Sequence, residues 1–295
     1  MSHIQHKQAR PGNRTDDDSR LKLHLRVLSL NGKIWRVLTL RPGTDVAFST
    51  NYFHETWHLV SDEPGARLLA HLFWGMSYQR EPRTLFLMHG ENIRATPFEA
   101  EPSQPFAICP ANVTAPDPQA FREMKRLLPR LPPPTATVRL QTWGLDEMVA
   151  TDDWEERQQR AGLDDGNCTF LWERERMTLE GGVICYTALP IILRAQADVI
   201  ARMRICRIIG QEHHELAANH AGRWGGMGDG EVQIFRRYRE MLSEANEARR
   251  EVARNSGDDS SALQTKIVRE AVWEQAYAVE ERRRDALLAR RRQPR

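Results

Sequence analysis

Apolar side chains occupy every second position from Leu21 to Val27, and polar side chains occupy the positions between them. This period of two is typical of a half-buried β-strand. Asn31-Gly32 follows, which is the strongest short-range signal for a hairpin turn. The pattern therefore predicts a β-hairpin whose second strand covers residues 34–40.

The spacing of apolar residues becomes helical between Asp45 and Ser61. Four apolar residues share one side of the predicted helix: Val46, Phe53, Trp57 and Val60. Pro64-Gly65 ends this helix. The pattern then predicts a second helix over 66–78 and a strand over 84–88.

The sequence between residues 110 and 134 is rich in proline and contains a short basic helix over 121–128. Proline fixes φ and removes a backbone donor, so the run Pro132-Pro133-Pro134 favours an extended connector. We therefore expect a domain boundary in this region.

The second half begins with a predicted strand over 137–141 and an acidic helix over 152–159. A hairpin of 169–179 and 183–189 follows, turned by Gly181-Gly182. The remaining chain has helical spacing. One predicted helix runs from Val199 to His220, a second begins near Glu231, and a third begins near Leu263.

These elements predict an α+β fold, with an N-terminal domain of a β-hairpin plus helices. The C-terminal half is predicted to contain a small hairpin and a long helical bundle or hairpin. The predicted organisation is a flexible tail (1–20), an α+β domain (21–128), a Pro-rich linker (129–136), a β-hairpin region (137–190) and a helical region with an Arg-rich tail (191–295).

His54-Glu55-Thr56-Trp57-His58 matches the pattern H-E-x-x-H. On a helix, positions i and i+4 lie on the same face, so two imidazoles can bind one zinc ion. The glutamate between them can act as general base on a zinc-bound water. The alternative interpretation is an amphipathic helix that carries two histidines on its polar face and Trp57 in the core.

The motif and the β-hairpin before it resemble the zincin metallopeptidases over about forty residues. The resemblance implies that His54 and His58 are zinc ligands and that Glu55 is the catalytic base. Ser61 and Pro64 stand where one zincin group has glycine and histidine. A catalytic zinc needs a third protein ligand. We expect His71 in that role, because Pro64-Gly65 can turn its helix back, with His89 and Glu91 as second choices.

Composition adds a second hypothesis. The 42 basic residues and 40 acidic residues give a net charge of +2, and only five of the basic residues are lysines. From Ala201 onwards there are 19 basic and 15 acidic residues, so the C-terminal end is mildly basic. Arginine recognises phosphate in a bidentate manner, but many helical arginines lie near a glutamate and can form ion pairs. The last four arginines, Arg290, Arg291, Arg292 and Arg295, are the candidate nucleic-acid contacts.

Two shorter signals are open to more than one interpretation. Glu212-His213-His214-Glu215 indicates either a metal or general-base site, or hydrogen-bonded histidines at a core or interface. Residues 225–230 are rich in glycine and indicate a connector between helices more than a phosphate-binding loop.

The chain is expected to be cytoplasmic. Residues 1–20 are polar, and the longest apolar run, Val183 to Leu193, is too short to cross a bilayer. The four cysteines are far apart, with no CxxC pair, and are predicted to be reduced thiols. Two functions follow from the sequence. The first is a zinc-dependent hydrolase that acts on a peptide or protein. The second is a non-enzymatic accessory protein that binds nucleic acid or a protein partner through its C-terminal helices.

Overall fold

We describe the protein from a computed structural model of the 295-residue chain. The described residues are 21–98, 103–161, 174–217, 229–256 and 266–292. The predicted N-terminal tail therefore lies outside them. Among the described residues, no helix combines the length and the apolar character needed to cross a membrane.

The described residues form eleven strands and seven α-helices. The strands are β1 (Lys22–Leu30), β2 (Lys33–Thr39), β3 (Ser49–Phe53), β4 (Thr56–Ser61), β5 (Thr84–Met88), β6 (Phe106–Pro110), β7 (Ala136–Arg139), β8 (Arg176–Glu180), β9 (Val183–Ala188), β10 (Gln211–Leu216) and β11 (Gly230–Phe235). The helices are α1 (Glu63–Met76), α2 (Pro118–Leu127), α3 (Leu145–Ala150), α4 (Trp154–Ala161), α5 (Pro190–Arg202), α6 (Tyr238–Ser256) and α7 (Lys266–Arg292). The predicted α+β class is confirmed.

Seven strands form the larger sheet, in the order β7-β1-β2-β5-β6-β9-β8. The predicted hairpin of β1 and β2 is present, and Leu30 pairs with Lys33 across the Asn31-Gly32 turn. Both turn residues have positive φ, as a two-residue hairpin turn requires. Residues 129–136 connect α2 to β7 of this same sheet, so the proline-rich segment does not separate two sheets.

Four strands form a smaller sheet, in the order β10-β11-β4-β3. The helix predicted over 45–61 is wrong, because this segment forms β3 and β4. The strands contain β-branched and aromatic residues that suit a pleated surface. Each also gains backbone hydrogen bonds from a neighbour, and β4 pairs with β11 in parallel.

The long helix predicted from Val199 to His220 is also wrong. Helix α5 ends at Arg202, and residues 211–216 form strand β10. Gly210 has a φ of +76° just before that strand, a conformation that an α-helix excludes. The helix expected to begin at Glu231 is strand β11, and the true helix begins at Tyr238. Most of the glycine-rich segment before β11, and His220, lie outside the described residues.

The main core lies where α1, α5 and the smaller sheet meet one face of the larger sheet. In this core the rings of Phe73 in α1 and Tyr186 in β9 stack at 4.7 Å. Helix α2 covers the opposite face, where Phe121 contacts the indole of Trp35. Helices α6 and α7 pack against each other through a small seam of five residues: Ala248, Val252, Val272, Ala276 and Val279.

The β8–β9 turn is predicted to depend on glycine for space as well as for its backbone conformation. Gly181 and Gly32 both have positive φ, but a Cβ at Gly181 would lie 2.5 Å from the Arg122 backbone nitrogen. A Cβ at Gly32 meets nothing within 4 Å. We expect Gly181→Ala to lower the free energy of unfolding by about 3 kcal/mol, and Gly32→Ala by about 1 kcal/mol. Urea unfolding of the two variants measures this, and equal losses would contradict the packing of this turn on α2.

Candidate functional site

The H-E-x-x-H segment lies at the end of a β-hairpin. Phe53 pairs with Thr56, so His54 and Glu55 form a two-residue turn between β3 and β4. Their φ values are 50° and 63°, in the left-handed region. Such a turn favours Asn-Gly, and side chains with a Cβ cost about 1–2 kcal/mol each in this conformation. The His-Glu turn is therefore maintained by the strands on either side of it.

His58 lies in β4 and is buried, whereas His54 is exposed in the turn. The Nε2 atom of His58 is 3.6 Å from Glu231 Oε2 in the adjacent strand β11. Burial is the largest influence on His58 and lowers its pKa, the charge of Glu231 raises it, and His54 lowers it. His58 is thus a mainly desolvated imidazole beside a carboxylate.

A row of polar side chains crosses the smaller sheet at this level. The strand registers align Asn51 in β3, His58 in β4, Glu231 in β11 and Glu215 in β10. Residues aligned in this way share one face of a sheet. The Oδ1 atom of Asn51 is buried and has no hydrogen-bond partner. One face of the sheet therefore carries an imidazole, two carboxylates and an amide side by side.

Aromatic side chains lie on both faces of the hairpin beside this row. Tyr52 is 54% exposed and Phe53 is 48% exposed. The Tyr52 ring lies 4.8 Å from that of Trp57, and the Phe53 ring lies 3.9 Å from the imidazole of His54. We call residues 52–58 the hairpin tip. Its two most exposed aromatic rings lie outside the main core.

Two carboxylates lie at the hairpin tip. Glu55 is exposed in the turn itself, and Glu231 lies beside His58. The Trp57 backbone N–H donates to the Asp229 carbonyl at 3.2 Å, but the charge of Asp229 acts on the buried Glu175. The site therefore combines exposed aromatic faces with negative charge.

The predicted zinc ligands do not form a metal centre in the part of the chain that the structure describes. No three His, Cys, Asp or Glu side chains come together there in a group that can hold a metal ion. His71 is buried in α1, so it does not complete such a group with His54 and His58. Residues 54–58 form a turn and a strand, so His54 and His58 are not one helical turn apart on a shared helix face. Zinc binding stays a prediction of the sequence, which metal analysis of untagged protein decides.

A second polar cluster is buried where β8, β9, α5 and β10 meet. Glu175, immediately before β8, is 1% exposed. Its Oε1 atom accepts hydrogen bonds from the Tyr186 hydroxyl at 2.5 Å and from Gln196 Nε2 at 2.8 Å. Burial is the largest influence and raises the pKa of Glu175, and the charge of Asp229 raises it further. The Tyr186 hydroxyl, the Ala217 amide and Gln196 act in the opposite direction.

The cluster continues to His214 in β10. Gln196 uses its amide nitrogen on Glu175, so its Oε1 atom is the acceptor for His214 Nε2 at 2.5 Å. His214 must then carry its hydrogen on Nε2. Burial lowers the pKa of His214 to about 4, with a smaller contribution from His213. The second carboxylate oxygen of Glu175, Oε2, is buried without a hydrogen-bond partner.

Several arginines at the C-terminal helices contact carboxylates of the same two helices, whereas Arg250 and Arg254 donate to backbone carbonyls. Arg237 contacts three carboxylates: Glu240, Glu244 and Glu280. Two further ion pairs join α7 to α6: Arg282 with Glu251, and Arg283 with Glu247. The side chains of Arg290, Arg291 and Arg292 and the whole of Arg295 lie outside what the structure describes. Nucleic-acid contacts by these four residues therefore stay a prediction.

The chain was compared with protein-family models, curated protein sequences and solved structures, and it matches none of them. The site is therefore interpreted from its own geometry.

The sequence analysis missed Asp229, Glu231 and Glu175 as members of these clusters. The β-branched and aromatic residues over 49–60 were an available signal for the hairpin. No local signal identifies Glu231 as a neighbour of His58, because a parallel pairing between distant segments brings them together. Glu175 lies within the strand predicted over 169–179, whereas β8 begins at Arg176, and no sequence pattern marks Glu175 as buried.

The buried His214 predicts a specific pH dependence of stability. Its folded pKa of about 4 lies below the ordinary 6.5, so folding favours the neutral ring. This contribution is complete above about pH 6.5 and is lost as the pH falls towards 4, by at most about 3 kcal/mol. We expect His214→Gln to lose correspondingly less stability over that range in urea titrations at several pH values.

The comparison variant is His213→Gln, which changes the exposed neighbour on the same strand. It should keep most of the acid-induced loss, because the burial of His214 remains and only the smaller charge effect of His213 is removed. Glu175 has the opposite sign, because its raised pKa removes stability as the pH rises, but it is present in all three proteins. An acid-induced loss in His214→Gln equal to that of the wild type would contradict the prediction.

Proposed function

We propose that the protein binds a basic segment of a protein partner at the hairpin tip. The observation that carries this proposal is the exposed aromatic pair, Tyr52 and Phe53, on opposite faces of the strand that leads into the turn of His54 and Glu55. Exposed aromatic residues are enriched in protein-recognition surfaces over the remaining surface, and the neighbouring carboxylates add a preference for a cationic partner.

The backbone of the hairpin tip supports a binding role. His54 and Glu55 both keep a left-handed conformation that Asn-Gly would adopt at lower cost. Backbone strain of this kind is concentrated at functional sites, where surrounding structure maintains it. Here the strained turn exposes Glu55 and holds the imidazole of His54 against the ring of Phe53.

The charges select the class of partner. Glu55 and Glu231 repel phosphate groups and attract arginine or lysine. A guanidinium can stack on the ring of Tyr52 or Phe53 and also form bidentate hydrogen bonds with a carboxylate. A basic peptide segment satisfies both kinds of contact, whereas a nucleic acid satisfies only the stacking.

The other functions predicted from the sequence have less support. Zinc-dependent hydrolysis requires a third ligand near His54 and His58, and the described residues form no such group. Binding of nucleic acid by the C-terminal helices requires unneutralised arginines. Arg237, Arg282 and Arg283 contact glutamates, whereas Arg250 and Arg254 donate to backbone carbonyls.

For the cellular compartment we propose the cytoplasm. Cys109 and Cys185 are buried free thiols on adjacent strands, and a reducing compartment maintains thiols in this state.

The test measures the affinity of a fluorescently labelled Arg-Gly repeat peptide by anisotropy. We expect Tyr52→Ser/Phe53→Ser to weaken binding about tenfold, because two aromatic contacts with a cation are lost. Glu55→Gln should weaken binding by a smaller factor, and its effect should shrink as salt screens the charge.

The matched control is Trp143→Ser, because Trp143 is 73% exposed and lies outside the hairpin tip. It should bind the peptide like the wild type. A Glu-Gly repeat peptide and single-stranded DNA serve as competitors. Equal affinity of the hairpin-tip variant and the wild type, or displacement of the peptide from the tip by the DNA, would refute the proposal.

A further inference from the structure

The segment between α5 and β10 exposes two large apolar side chains. Ile208 is 95% exposed and Ile209 is 68% exposed. Burial of an isoleucine side chain is favourable, so two neighbouring isoleucines in water mark a contact surface more than a solvated loop. We call residues 204–210 the Arg-Ile loop.

The Arg-Ile loop is fixed by hydrogen bonds to the rest of the fold. The Gly210 N–H donates to the Cys206 carbonyl at 2.8 Å, and the Arg236 N–H donates to the Gly210 carbonyl at 3.0 Å. The Ile205 N–H donates to Glu63 Oε1 at 3.0 Å. The two isoleucines are therefore presented by an ordered turn.

Three exposed arginines lie in or beside the loop: Arg204, Arg207 and Arg236. Arg204 and Arg236 donate to backbone carbonyl groups. Two carboxylates are also near, because Glu63 accepts from the Ile205 N–H and the charge of Glu212 acts on Cys206. The Arg-Ile loop thus combines apolar and cationic groups, whereas the hairpin tip combines aromatic and anionic groups.

The two surfaces lie at opposite ends of the smaller sheet. Gln211 pairs with Phe235 at the end beside the Arg-Ile loop, and Leu216 pairs with Gly230 at the other end. Gly230 in turn pairs with Trp57 of the hairpin tip. Strand β10 between them is about 20 Å long, so the two surfaces cannot meet within one molecule.

We propose that the Arg-Ile loop of one molecule docks on the hairpin tip of a second copy of this chain. This inference rests on the proposed function and names the partner of that site. Ile208 and Ile209 would pack against Tyr52 and Phe53, and Arg207 would lie near the carboxylate of Glu55.

The position of the two surfaces determines the type of assembly. Different patches of the two molecules meet, so the contact is heterologous and adds molecules head to tail. The patches are small, so the association is weak, with a dissociation constant of about 10–100 μM. A ladder of oligomers that grows with protein concentration is expected, and not a single closed dimer.

The experiment is sedimentation velocity of the full chain over a concentration series, in about 0.05 M and about 0.5 M salt. The wild type should associate at low salt and dissociate at high salt. The tip variant Tyr52→Ser/Phe53→Ser and the loop variant Ile208→Ser/Ile209→Ser should each raise the dissociation constant at least tenfold. All four substituted residues are exposed, so both variants should keep the wild-type circular dichroism spectrum.

The decisive arm is an equimolar mixture of the two variants. The tip variant keeps an intact Arg-Ile loop, and the loop variant keeps an intact hairpin tip. The loop of the first can therefore dock on the tip of the second, and no surface is left to add a third molecule. The mixture should contain a 1:1 complex of twice the 34.0 kDa chain mass and nothing larger. The matched control Ile34→Ser, at an apolar residue that is 54% exposed elsewhere, should associate like the wild type.

Three outcomes overturn the inference: a monomeric wild type at every concentration, undiminished association of either variant, or a variant mixture without the complex. Binding of the Arg-Gly peptide at the hairpin tip by a monomeric wild type would overturn this inference alone. Absence of Arg-Gly peptide binding by the wild-type protein would overturn the proposed function as well.

Discussion

The parallel pairing of β4 with β11 is the constraint on which the rest of the candidate site depends. It joins a strand near the beginning of the chain to one that follows most of the larger sheet, with Glu231 beside His58. The same pairing places Asp229 beside Trp57 and attaches β10 to the sheet. A parallel pair needs a crossover connection, and here that connection includes strands and helices of the main body. The geometry of the hairpin tip therefore depends on the whole fold and not on a local hairpin alone.

The buried polar cluster gives the two sheets a defined relative position. Apolar contacts such as those of Leu59 and Leu216 supply cohesion, but they tolerate small shifts. The hydrogen bonds from Tyr186 and Gln196 to Glu175 have strict geometry, and they connect β9 and α5 to the segment before β8. His214 extends the chain of hydrogen bonds to the smaller sheet only while its Nε2 carries a hydrogen. The unpartnered Oε2 of Glu175 costs about 1–3 kcal/mol, which opposes the stability that the cluster contributes.

The elements that the sequence predicted correctly are those with local signals. Asn31-Gly32 and Gly181-Gly182 mark turns in β1–β2 and β8–β9. Pro64 was interpreted as the end of a helix, whereas it lies in the first turn of α1. The prediction failed over 45–61, because His54 and Glu55 occupy a turn without asparagine or glycine. Apolar residues in two short strands also reproduced a helical spacing by chance. The contact between His58 and Glu231 was not predictable, since no local pattern encodes a pairing between segments so far apart.

The distribution of arginine explains how a chain of net charge +2 carries strongly charged surfaces. In α6 and α7 the positive charge is compensated locally, because Arg237 and Arg282 contact glutamates of the same helical pair. Compensation of this kind gives soluble helices but no long-range attraction. The two ends of the smaller sheet differ in charge, with Arg204 and Arg207 exposed near Ile208 and Glu55 exposed at the hairpin tip. A near-zero net charge weakens repulsion between whole molecules, so separated patches of opposite sign can orient them at short range. The same overall composition therefore permits ion-paired, solvated helices and a sheet whose two ends carry different charge.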